Sequence, residues 1–230
     1  MSLKFSAIIL AAGSGTRMGT DVPKQRIKLS GKSVLERAVL AFEACDAVDE
    51  IIVVTREADI ESVKDELSMI SKLSAVISGG KTRAESAKLG FEKVKNGAKY
   101  VAIHDAARCF VTEKMINSVF FDAVKYGAAT ASSRVSDSVK KIDGRGFITE
   151  SIDRDFTVTV QTPQIFSSEL YRKALLNTDP LDPSITDDNS MLLRIGVPVY
   201  CTETGSLNIK LTKREDLEYA EFLLGRDRDV

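Results

Sequence analysis

A chain of 230 residues, 43% hydrophobic and 28% charged, has the balance of a folded globular protein and is long enough for one large α/β core. Its 32 basic and 33 acidic residues leave a net charge of −1, so no global positive field favours nucleic acid or an anionic membrane. Cys45, Cys109 and Cys201 are widely spaced and lack a C-x-x-C pattern, which argues against a disulfide framework or a zinc site; the first apolar run is short and has no basic segment before it, no stretch approaches a membrane span, and a cytoplasmic protein is the reading.

Residues 5–11 are apolar, short and followed by glycine, which predicts a fully buried strand. Residues 50–55 (EIIVVT) and 100–104 (YVAIH) read the same way, and 128–132 and 198–202 carry a fainter version of the pattern. Between them lie helical periodicities. Residues 33–44 open with Ser33 and have Glu36 three places on, a capping box. Residues 59–70, 83–96 and 112–126 repeat apolar side chains at i, i+3 and i+4, and 212–224 opens with Thr212 and Glu215, a second capping box. Continuous apolar strands alternating with amphipathic helices imply an α/β protein, a mainly parallel sheet covered on both faces. Ligands of such sheets bind beyond the carboxyl ends of the strands. Residues 135–161 break the rhythm: they are polar and alternate around a Gly144–Gly146 turn, as a hairpin or arm leaving the main sheet would. No linker divides the chain, so residues 1–230 read as a single domain with that arm.

The first strand runs into LAAGSGTRMGTDVPK, residues 10–24. A P-loop requires G-x-x-x-x-G-K-[ST], and Met18 stands where its second glycine belongs. The dinucleotide fingerprint fits Gly13 and Gly15 but again meets Met18, with Gly19 one place late. What remains is a loop whose glycines let backbone amides approach a polyanion, flanked by Arg17 and Lys24, with Pro23 stiffening the approach to Lys24. Such a loop can clamp a triphosphate, or its two cations can simply be solvated.

The loop is one of an ordered set. ISGGKTRAESA, IHDAAR, VQTPQIF, TDDNSML and NIKLTKREDLEYAE follow it, from Ala11 to Glu221. This set resembles the 2-C-methyl-D-erythritol 4-phosphate cytidylyltransferases of the non-mevalonate isoprenoid pathway. The resemblance implies a Rossmann-like nucleotidyltransferase domain of the nucleotide-diphospho-sugar transferase type, with a protruding β-arm at about 135–161 through which two subunits embrace. It implies transfer of CMP from CTP to a polyol phosphate, with Mg²⁺ bridging the triphosphate. It assigns Arg17, Lys24 and Lys210 as catalytic cations: Lys24 and Lys210 at the α-phosphate, Arg17 on the pyrophosphate side. Such transfers need positioning and charge neutralisation, and a phosphate monoester is already an anionic nucleophile, so no general base is required.

By the same resemblance, backbone atoms of Ala11, Ala12 and Gly80 with Ser86 read cytosine, and Gly13 and Gly15 line the CTP site. Asp105 holds Mg²⁺ or a substrate hydroxyl, with a helix cap or an Arg108 partner as its plainer role. Arg108 holds the polyol or orients Asp105, and Thr186 with Asp187 and Asp188 forms the TDD loop that shapes the substrate end, with a helix N-cap as its plainer role. Arg154, with Ser138 where the family carries Thr, reaches the polyol phosphate from the partner subunit's arm. His104, the single histidine, reads as a packed residue holding its loop rather than a proton shuttle. Two departures stand out: GGKTR has Lys81 where the family has Asp, and HDAARC has Cys109 where it has Pro, a change that loosens the loop. Three rivals compete with this reading. They are a ribitol 5-phosphate cytidylyltransferase, disfavoured by Ala107 and by Asp153–Arg154; a non-catalytic nucleotide-binding domain; and a nicotinamide-dependent oxidoreductase, disfavoured by loop spacing.

Overall fold

The computed structural model describes residues 3–13 and 23–226. The strands are β1 (Phe5–Leu10), β2 (Lys28–Leu29), β3 (Lys32–Ser33), β4 (Val48–Thr55), β5 (Leu73–Ser78), β6 (Tyr100–Asp105), β7 (Ala128–Arg134), β8 (Val139–Ile142), β9 (Ile148–Ile152), β10 (Val158–Ser167) and β11 (Tyr200–Glu203). The helices are α1 (Val34–Ala44), α2 (Ile60–Glu66), α3 (Arg83–Phe91), α4 (Glu113–Tyr126), α5 (Ser168–Leu176), α6 (Asp188–Arg194) and α7 (Arg214–Arg226).

Seven strands form one sheet in the order β11-β7-β10-β6-β1-β4-β5. The pairs β6–β1, β1–β4, β4–β5 and β7–β11 are parallel, and β10 alone runs antiparallel to both neighbours. β1 is apolar without alternation because both of its faces are covered. Ala7 and Ile9 pack with Val39 and Phe42 of α1 and with Ile116 and Phe120 of α4. Ile8 and Leu10 pack on the other face with Ala87 of α3, Tyr171 of α5 and Met191 of α6. Each such side chain taken from water contributes about 1.5–3 kcal/mol. Gly90 lets α3 lie directly on β1: a Cβ there would come within 2.5 Å of Ile8 Cγ2.

The caps explain several boundaries. Ser33 accepts a hydrogen bond from the Glu36 amide and starts α1. At α7 the capping differs from the Thr212/Glu215 box: the Asp216 carboxylate accepts from the amides of Thr212 and Lys213, so the helix begins at Arg214. The periodicity over 59–70 becomes a 3₁₀ turn followed by the short α2, and that over 83–96 stops at Phe91. The polar region after β7 contains a separate two-stranded ladder, β8–β9, but Val158, Thr159 and Val160 already pair with Arg134, Ser133 and Ser132 of the main sheet. Residues 158–161 therefore belong to β10 rather than to the arm. No helix among the described residues is long and apolar enough to cross a membrane.

Candidate active site

The register Leu10↔Asp105 and Leu10↔Val54 brings the carboxyl ends of β1, β4 and β6 level, and the loops that leave them build one site. A cleft of about 470 Å³ opens there, walled by Ala12, Gly13, Lys24, Gly80, Ser86 and Lys210 among others. A smaller cavity of about 230 Å³ adjoins it, lined by Arg108, Gln164, Thr186 and Asp187. Arg83, Asp105 and Lys210 line both.

Asp105 is held from three sides. Its amide donates to Thr162 Oγ1 at 3.0 Å, its Oδ1 accepts from Arg83 Nε at 2.9 Å, and its Oδ2 accepts from Lys210 Nζ at 2.7 Å. Burial alone would raise this carboxyl; the charges and hydrogen bonds of Arg83 and Lys210 override it and hold Asp105 ionised, well below the usual carboxylate range. Asp105 is a single carboxylate: no cluster of three or more metal-ligating side chains occurs among the described residues.

The cations arrive from distant segments. Lys24 opens a 3₁₀ turn, Lys24–Arg26, and its ammonium donates to Leu211 O at 3.2 Å, next to Lys210. The Leu211 amide donates to Ala107 O at 2.9 Å, so the loop after β1, the loop after β6 and the NIK segment are tied together. Arg108 Nη1 donates to Asn208 O at 2.8 Å, and Asn208, fully buried, donates through Nδ2 to Thr162 O at 2.8 Å. Gln25 closes the first loop by donating to Gly13 O at 2.9 Å.

His104 lies beneath this layer. Its Nε2 is 3.2 Å from Arg108 O and its Nδ1 3.1 Å from Thr162 Oγ1. A carbonyl only accepts, so Nε2 carries the proton and the Thr162 hydroxyl donates to Nδ1. Burial pushes the imidazole down to about 3, which keeps it neutral and structural.

The turn after β5 forms the far wall of the larger cleft. A Cβ on Gly79 would come within 2.5 Å of Ala12 Cβ and 2.8 Å of Ser86 Oγ, so glycine permits the crossing of two loops. Thr82 caps α3, accepting from the Glu85 amide, and Glu85 folds back to accept from the Lys81 amide at 2.5 Å. Lys81 thus supplies its backbone to the turn and its exposed side chain to the rim of the cleft. Several groups assigned to the base already have internal partners. The Ala11 amide donates to Val54 O, the Gly80 amide to Ser86 Oγ, and the Ser86 hydroxyl to Thr82 O.

The remaining assignments scatter. Thr186 borders the smaller cavity, Asp187 caps α6 by accepting from the Ser190 amide, and Asp188 is buried. Ser138 and Arg154 lie at the β8–β9 arm, exposed and lining neither cleft, with Arg154 Nη1 donating to Ser136 O at 3.0 Å. Gly15 and Arg17 lie outside the described residues. Cys109 packs with Leu29, Val34 and Leu211 and its thiol is pushed up to about 11 by burial, so this cysteine fills an apolar pocket where the proline would have stood. Sequence reasoning missed Arg83. The sequence hints only that a cation in the first turn of a helix opposes the dipole; it does not show which acids pair with it.

The sequence profile of 2-C-methyl-D-erythritol 4-phosphate cytidylyltransferase matches residues 5–226. The chain belongs to this cytidylyltransferase family. It is 36% identical to the 2-C-methyl-D-erythritol 4-phosphate cytidylyltransferase of Lachnospira eligens, covering 95% of this chain and 98% of that one. It is 34% identical to that of Syntrophus aciditrophicus, covering 99% and 98%. Among solved structures, the 4-diphosphocytidyl-2C-methyl-D-erythritol synthase of Anaerococcus prevotii superposes with a TM-score of 0.87 at 29% identity, covering 97% of this chain and 96% of that one. The Thermus thermophilus cytidylyltransferase gives 0.78 at 27% identity, covering 96% and 98%. The cytidylyltransferase family fold is thus the mixed, mostly parallel sheet described above.

Proposed function

We propose that this chain transfers CMP from CTP to 2-C-methyl-D-erythritol 4-phosphate, releasing pyrophosphate and 4-diphosphocytidyl-2-C-methyl-D-erythritol, a step in making isoprenoid precursors. One observation carries the reading beyond family membership. A large cleft and a small one meet at a wall that contains one carboxylate and two cations. That is the layout of a two-substrate transfer, with the nucleotide in the larger space and the polyol phosphate in the smaller. The polyol phosphate oxygen attacks the α-phosphorus in line with the departing pyrophosphate. Lys24 and Lys210 stabilise charge on the α-phosphate, and Arg17 takes the pyrophosphate side. His104 is buried and neutral, and both ring nitrogens are engaged by Arg108 O and Thr162 Oγ1, so it takes no part in proton transfer.

Mg²⁺ fits as a metal carried largely by the nucleotide. Magnesium commonly takes one or two carboxylates with phosphate oxygens and water, and Asp105 is an ionised carboxylate on both clefts. Each of its oxygens already accepts from one cation, which leaves one lone pair apiece for a metal. When bound, the metal neutralises charge across the triphosphate.

Residues 1–230 act as one cytidylyltransferase unit in the cytoplasm, and the unit is a homodimer. The arm exposes Ile142, Phe147 and Ile148, with Phe156 91% exposed beside it, more apolar surface than a two-stranded ladder sustains alone. A partner's arm would bring Arg154 and Ser138 to the polyol phosphate. Side-by-side turnover of methylerythritol phosphate and ribitol 5-phosphate with CTP tests the substrate. A clear preference for ribitol phosphate contradicts the proposal, and the absence of pyrophosphate release from either would leave only a nucleotide binder.

A further inference from the structure

We propose that Arg83 is a positioning residue: it fixes the Asp105 carboxylate so that Asp105 holds the Lys210 ammonium at the seam of the two clefts. The inference rests on the transfer reading above and assigns a role within that site to a side chain which would touch neither reacting atom.

Arg83 occupies the first position of α3, where the positive end of the helix dipole disfavours a cation. Two carboxylates offset this. Arg83 Nε donates to Asp105 Oδ1 at 2.9 Å, and Nη1 donates to Asp188 Oδ2 at 2.5 Å. Asp188 is fully buried and is itself anchored: the Tyr171 hydroxyl donates to its Oδ1 at 2.7 Å, and its amide donates to Gln164 Oε1 at 3.0 Å. Tyr171 in turn stacks on Phe166 with centroids 5.4 Å apart and meets the edge of Phe91 at 5.1 Å. A continuous set of directed contacts therefore runs from the aromatic core through Tyr171, Asp188, Arg83 and Asp105 to Lys210.

The geometry gives each link a task. A carboxylate paired with one flexible lysine can rotate and follow it. With the guanidinium on Oδ1, the plane of the Asp105 carboxylate is set and Oδ2 faces Lys210. Within this set of four, the two cations and two anions cancel. Burial and charge neutrality alone would be satisfied as well by apolar residues, because buried ion pairs replaced whole commonly leave stability unchanged. What an apolar replacement cannot do is orient Asp105.

The double variant Arg83→Met/Asp188→Asn separates these roles. It removes the cation together with its buried counter-charge, and the new carboxamide can still accept from Tyr171. The expected result is a folded dimer melting within a few degrees of wild type, kcat lower by about a hundredfold, and a KM for CTP changed by less than about fivefold, the signature of a misplaced group rather than a lost binding contact. In Arg83→Ala, millimolar guanidinium should restore turnover by about tenfold, while sodium chloride at equal ionic strength should not. A folded double variant with near-normal kcat would overturn the role, as would a CTP KM that rises in step with the loss of kcat, or a loss in Arg83→Ala that guanidinium leaves untouched. If Arg83→Ala does not fold, the double variant decides. An inactive wild-type enzyme in the same assay is a different failure: it removes the transfer reading, and the role of Arg83 with it.

Discussion

Lys24, Asp105 and Lys210 come from three separate stretches of the chain, and they meet because the Leu211 amide bonds Ala107 O, the Lys24 ammonium bonds Leu211 O and the Lys210 ammonium bonds Asp105. Lys24→Ala should lower kcat by two or more orders of magnitude with circular dichroism unchanged; a near-normal kcat would remove it from the mechanism. His104 allows a cleaner test, since one histidine gives one imidazole signal. That signal should not titrate between pH 8 and about pH 4, because its proton affinity is lowered by burial to about 3. The sign for stability follows. The unfolded chain binds a proton near pH 6.5 and the folded one does not, so this contribution is complete above pH 6.5 and is lost as pH falls toward 3, at about 1.4 kcal/mol per pH unit. Asp105 is also depressed, but its loss begins only below the ordinary carboxylate range, near pH 4. Denaturant melts at pH 7, 5.5 and 4.5 read the histidine window; an unchanged midpoint contradicts it. At this scale the motifs made Lys24, Asp105 and Lys210 legible. Arg83 was not, because its partners lie 22 and 105 positions away and only the fold brings them together.

At the scale of elements, the buried parallel strands and the long amphipathic helices could be read directly, since both faces of β1 and β4 are apolar and α1 and α4 carry clear stripes. β5 and β10 could not. β5 is an edge strand with no fully buried residue, and the first half of β10 is polar, because Val158, Thr159 and Val160 pair beside the arm before Gln164, Ile165 and Phe166 enter the core. The plainer reading of TDD as a helix cap holds for Asp187, which starts the short α6, while Asp188 is a buried ion-pair partner that the motif did not reveal. The turn between β5 and α3 yields a prediction at this scale. In Gly79→Ala the new methyl group meets Ala12 and Ser86, so the wall of the larger cleft must shift at a cost of about 1–3 kcal/mol. The KM for CTP should rise by about tenfold while the KM for the polyol phosphate stays put, and an unchanged CTP KM would mean this wall does not bound the nucleotide.

The whole molecule is where the sequence says least. An arm is recognisable as a polar interruption, but no pattern within the chain says what its exposed apolar residues Ile142, Phe147 and Ile148 cover. If Arg154 serves the partner's site, an equimolar mixture of Arg154→Ala and Lys24→Ala chains, each inactive alone, should regain about a quarter of wild-type activity, because half the dimers are mixed and each of those has one intact site. No recovery after verified subunit exchange would place Arg154 within its own chain. ³¹P NMR of CTP, methylerythritol phosphate and Mg²⁺ with catalytic enzyme reads the transfer itself. A new pair of coupled diphosphate doublets should grow in step with pyrophosphate, both dependent on the polyol. CTP left intact, or converted to orthophosphate or CMP without a new diphosphate, would contradict it.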